Sequence, residues 1–213
     1  MSSSALRILV ALAAIACATP ESAWSQKSGV RVHRERSVVQ RTEFDPKSPP
    51  RGMPKLTPPE AGVCNTTFEL DTEVAYSSES LTANLVRITV NEIDLTTRLS
   101  FDIYTRAGSP QKLRDHEEAH RQIGEYYYSA AAAVAERIAR PLIGETFIGS
   151  GNSEDAAQKN ALEKVIATIE HDYMARTRDR SADANERFDD VTNHGLNDID
   201  ANLAVARAVA GDP

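Results

Sequence analysis

At 213 residues with a formal net charge of −7, the chain has room for one folded domain with appendages, and its acidity argues against a nucleic-acid backbone as the main partner. The charge is uneven: residues 26–62 hold eight Lys/Arg against four Asp/Glu, whereas residues 63–213 hold fifteen against twenty-six. Only two cysteines are present, Cys17 and Cys64, which excludes a disulfide framework.

Residues 1–25 read as a signal peptide. Arg7 supplies the positive start, residues 8–18 are an apolar run too short for a comfortable membrane span, and Ala23-Trp24-Ser25 forms a small-x-small cleavage site before Gln26. A second route exists, because Ala14-Ile15-Ala16-Cys17 resembles a lipoprotein cleavage box with alanine in place of the usual leucine, making Cys17 a possible lipid anchor. Either way the expected location is outside the cytoplasm, secreted or periplasmic, with no membrane span. Cleavage before Gln26 leaves Cys64 alone, most simply as a small, half-buried apolar side chain.

Residues 26–62 carry six of the ten prolines with little apolar periodicity, and read as a Pro-rich linker or tail. At most one short strand is expected there, around Val30-Arg31-Val32 or Val38-Val39. The folded domain is expected over residues 63–210. Two-residue alternation places Phe68, Leu70, Thr72, Val74 and Tyr76 on one face; Val86, Ile88 and Val90 repeat it, as do Ile93, Leu95, Thr97, Leu99, Phe101 and Ile103. The parity changes at Asn91-Glu92, which marks a turn or bulge. The pattern predicts an α+β fold, a small antiparallel sheet of about three strands packed against a helical part.

A helix follows. Gly108-Ser109-Pro110 supplies loop, N-cap and first-turn proline, and Arg140-Pro141 a stop. Within it, His116-Glu117-Glu118-Ala119-His120 is an H-E-x-x-H signature. Residues four apart on a helix differ by about 40° in direction, so both imidazoles can hold one ion. Glu117, roughly 100° around, can then reach a water on that ion without ligating it. Residues 142–152 contain Gly144, Gly149 and Gly151 and read as a loop; Ser153 caps a helix whose apolar stripe runs Leu162, Val165, Ile166, Ile169, Tyr173. A charged stretch at 177–185 breaks or exposes that helix. An amphipathic piece with Ala184, Phe188 and Val191 then ends at Asn193-His194-Gly195, and residues 196–209 make a last short helix.

Catalytic zinc takes three protein ligands and leaves a position open. Of the five histidines, His33 lies in the tail and His171 on the solvated side of its helix, while Glu125 points about 180° from the His116 face. His194 is left as third metal ligand, beside a glycine that permits close backbone approach; the alternative is a C-terminal histidine favoured by the helix dipole. Asp189 is either a second acceptor holding an imidazole tautomer or a surface carboxylate. Tyr127 and Tyr173 either line the cleft or pack in the core.

The pair of motifs, His116-Glu117-Glu118-Ala119-His120 and then Glu186-Arg187-Phe188-Asp189-Asp190-Val191-Thr192-Asn193-His194-Gly195, resembles the DUF922 family of bacterial secreted Zn-dependent proteases. That family's second motif runs tyrosine, aspartate, two residues, threonine, one residue, histidine, glycine; Phe188 stands where it has tyrosine. The likeness spans roughly residues 65–205 and is specific only in the two motifs. It implies a zinc metallopeptidase acting on a peptide or protein substrate, with Zn2+ at His116, His120 and His194 and Glu117 as general base. Two other readings stand beside it, a non-catalytic envelope module with a structural metal site and a cell-wall amide hydrolase.

Overall fold

The structure is a computed structural model that describes residues 29–56 and 60–211; the expected signal peptide and Cys17 lie outside the described residues. Its frame is a hairpin of two very long strands, β3 (Gly62–Thr82) and β4 (Leu85–Arg106), joined by a two-residue turn at Ala83-Asn84 and paired antiparallel along their whole length. The three expected runs of alternation fall on these two strands. Residues 68–76 lie within β3, whereas 86–90 and 93–103 both belong to β4. The parity change between them is a bulge: Ala75 pairs with Glu92 and Tyr76 with Val90, leaving Asn91 over.

The sheet is five-stranded and mixed, which corrects the expected antiparallel sheet of three strands, although the α+β class stands. On its second edge β4 takes three short strands end to end. β5 (Thr146–Ser150) pairs antiparallel with residues 85–89, β1 (Gly29–Arg34) parallel with 92–97, and β2 (Val38–Phe44) parallel with 100–106. The sheet is therefore three rows wide. Two of those short strands come from the segment read as a tail. Their sequence is dominated by exposed Arg31, His33, Arg34, Gln40, Arg41 and Glu43, so it lacks the hydrophobic signal of a strand while its backbone completes the ladder. β5 likewise replaces part of the expected loop.

One face of the sheet is covered by helices α1 (Gln111–Ser129), α2 (Ala131–Ala139) and α3 (Glu154–Arg176), and α4 (Arg178–Thr192) and α5 (Ala201–Ala210) pack in turn on helices of that layer. Val86, Ile88 and Val90 before the bulge, and Ile93, Leu95, Leu99, Phe101 and Ile103 after it, are buried against them. Two glycines let helix backbone approach closely. A Cβ at Gly124 of α1 would stand 2.6 Å from Phe101, and one at Gly149 of β5 would stand 1.9 Å from the Ala157 carbonyl of α3. Ser153 caps α3 by accepting the Ala156 N–H. Among the described residues no helix is long and apolar enough to cross a membrane.

Candidate metal centre

The amphipathic spacing of α1 turns His116, Glu117 and Ala119 inward, with His120 beside them. α4 lies alongside and brings Ser181, Asn185 and Asp189, spaced four apart and so on one face, toward the same point. Three atoms converge there. His116 Nε2 and His120 Nε2 are 3.2 Å apart, and Asp189 Oδ1 is 3.2 Å from each. Phe188, the neighbour of Asp189, backs the triangle, its ring centroid 5.0 Å from both imidazoles.

These residues fit a metal ion. Ligands about 2.0–2.1 Å from a tetrahedral ion are separated by roughly 3.3–3.4 Å, close to the observed edges. Asp189 Oδ1 is buried and has no partner of hydrogen-bond geometry, as expected of an atom facing a shared point and not a neighbouring N–H. Two imidazoles and one carboxylate are a donor set for a borderline-soft divalent cation. Asn185 prepares one of them: its Nδ2 donates to the Ser181 carbonyl at 2.8 Å, leaving Oδ1 to accept from His120 Nδ1 at 2.7 Å. That fixes the proton on Nδ1 and turns the Nε2 lone pair inward.

Asp189, expected as a second acceptor or a surface group, therefore completes the triangle. His194, expected as third ligand, stands at the rim. Its side chain is 53% exposed and its Nδ1 is 3.9 Å from Asp189 Oδ1, outside the compact group. The chain around it is unusual, with Asn193, His194 and Gly195 all at positive φ (48°, 52° and 77°). The turn sets Gly195 against the His116 ring, where a Cβ would approach to 3.3 Å.

Glu117 is 3% exposed and faces the N-terminal end of β3. A side chain at Gly62 would meet its Oε1 at 2.6 Å, and the Cys64 backbone N–H donates to the carboxylate. Burial pushes its pKa up to about 7, helped by the Asp189 and Glu60 charges and opposed by His120 and the Cys64 N–H. For Asp189, burial acts upward but the two imidazoles outweigh it and hold the carboxyl well below the usual range. His120 is raised, because Asp189 and Asn185 overcome the effect of burial. Burial pushes the Cys64 thiol up to about 12, so it stays protonated and inert.

The group opens onto a cleft of about 610 Å³. Its floor is α1, one wall is the start of β3, and the other is α4 with the 194–196 turn. Tyr127 and Tyr173 do not line it; of the two places expected for them, they take the core. Tyr127 lies three turns along α1 from His116, about 16 Å away, and Tyr173 is fully buried on α3. His33 and His171 are exposed and outside the group. Asn185 was not anticipated; the signal was the i, i+4, i+8 spacing of Ser181, Asn185 and Asp189, hidden in a stretch dense with charge. The chain matches no protein-family model, no curated protein and no solved structure.

Proposed function

We propose that this chain is an exported zinc-dependent metallopeptidase that hydrolyses peptide bonds with Glu117 as general base. The observation that carries the reading is the triangle of His116, His120 and Asp189 beside a buried carboxylate that is not part of it. The H-E-x-x-H spacing and the likeness of both motifs to the DUF922 family support it, and the apolar start of the chain supports export.

His116, His120 and Asp189 would hold the ion, with His194 at the mouth. Zinc bound there supplies Lewis acidity toward a water and a scissile carbonyl. Glu117 accepts the proton of the attacking water and passes it to the leaving amine. The Cys64 N–H and the absence of a side chain at Gly62 keep that carboxylate oriented into the cleft. Asn185 holds His120 in the tautomer that can ligate.

The test pairs turnover of unfolded protein substrates with zinc content. Glu117→Gln should lose turnover by several orders of magnitude and keep its zinc. Asp189→Ala should lose zinc, and His194→Ala should keep it. Unchanged turnover in Glu117→Gln would leave only a structural metal site, and zinc retained in Asp189→Ala would remove that carboxylate from the ligand set.

A further inference from the structure

We infer that the face of the sheet turned away from the helices carries a second binding site, which takes a neutral polysaccharide strand across β2, β4 and β3.

The register places three rows of side chains on that face. Phe101 and Ile103 of β4 are buried under the helices, so Ser100, Asp102 and Tyr104, which alternate with them, point the other way. Each has one neighbour on either side. Ser100 stands between Val38 and Thr67, Asp102 between Gln40 and Asn65, and Tyr104 between Thr42 and Val63. Asn65 and Thr67 alternate along β3 with Cys64, Thr66 and Phe68 of the metal cleft, so the two sites lie back to back across one sheet.

Further along the same face the charges satisfy one another: Arg31 pairs with Glu92 and Asp94, and Arg98 with Glu35 and Asp71. The three rows differ. None of their polar side chains has a hydrogen-bond or ion-pair partner among the described residues, although Asp102 and Tyr104 are half-buried. Asp102 is the one charged group of the rows and has no cation among them, so the patch repels a polyanion and suits an uncharged donor.

This set of groups matches a sugar. Asp102 only accepts hydrogen bonds, whereas the Gln40 and Asn65 amides beside it each offer two donors and an acceptor. Neighbouring hydroxyls of a pyranose, each donor and acceptor at once, answer that alternation. In the next row the Tyr104 ring supplies an aromatic surface for the C–H face of the same sugar. With strands about 4.8 Å apart and rows about 6.6 Å apart, the patch spans roughly 10 by 13 Å between Cα atoms, the reach of about two pyranose units. A stable protein partner covers about 800 Å² on each side, several times that area.

The probes are cellohexaose, chitohexaose and xylohexaose, titrated calorimetrically into the zinc-loaded protein, with polygalacturonate as the anionic control. At least one neutral hexasaccharide should bind, and polygalacturonate should not. Asp102→Ala and Tyr104→Ala should each weaken that binding about tenfold with zinc content and melting temperature unchanged, while Arg31→Ala in the ion-paired rows should leave it as it was. Where either variant fails to fold, Asn65→Ala, at an exposed position, decides in its place. Binding that persists with a chelator present upholds a site apart from the metal cleft, whether or not the protein proves to be a peptidase. Overturning results are no binding of any neutral hexasaccharide, equal binding of polygalacturonate, loss on chelation, or wild-type affinity in the patch variants.

Discussion

At the scale of single residues, Asn185 carries more of the site than its neutral amide suggests. Held by Ser181, it leaves His120 one usable nitrogen for an ion. Asn185→Ala should weaken zinc affinity by about 10–100-fold in a competitive chelator titration while far-ultraviolet circular dichroism stays constant. Glu117 sets a pH dependence in the metal-free protein. Its folded pKa, about 7, lies above the ordinary 4.5, so the folded state prefers the protonated form. That preference stabilises fully below about pH 4.5 and is lost as pH rises through about 7, a change on the order of 3 kcal/mol. The upward shift of His120 acts in the same direction. Melting in the presence of a chelator should therefore show stability falling from pH 5 to pH 8, with a shallower fall in Glu117→Gln. The sequence revealed the two histidines and Glu117 because their spacing is local. It did not reveal the exchange between Asp189 and His194, which depends on a turn with three successive positive φ values that pulls His194 to the rim.

At the scale of elements, the close contacts are made by glycines. Gly149→Ala would drive a methyl into the backbone of α3 and should cost about 1–3 kcal/mol or more in chemical denaturation. Gly29→Ala meets nothing within 4 Å and should be neutral. Helix α1 is also braced from an unexpected side. Arg41 of β2 donates to Glu118 at 2.5 Å, Ser37 bonds Glu125, and Arg34 lies over the Tyr128 ring with its Cζ 5.4 Å from the centroid. Glu118 is thus paired to both Arg41 and Arg121. Alternation made β3 and β4 legible because each buries one face. β1 and β2 were not, because they are covered mainly through their backbones and carry charge outward.

At the scale of the molecule, the second edge of β4 is closed by segments from both sides of it in the sequence, β1 and β2 from before it and β5 from after. Removing residues up to Phe44 would open that edge from Glu92 to Arg106 and withdraw Arg41 from α1. Compared with a chain starting at Gly29, such a protein should melt less cooperatively and scatter light on heating. The mixed topology lay beyond a sequence reading, since parallel pairing between residues some sixty positions apart leaves no local trace. It has a consequence for biogenesis. A nascent polypeptide emerges amino end first, so residues 29–44 leave the ribosome long before the partner they must lie against has been made. They spend that interval as an unpaired thread that carries four arginines against two glutamates.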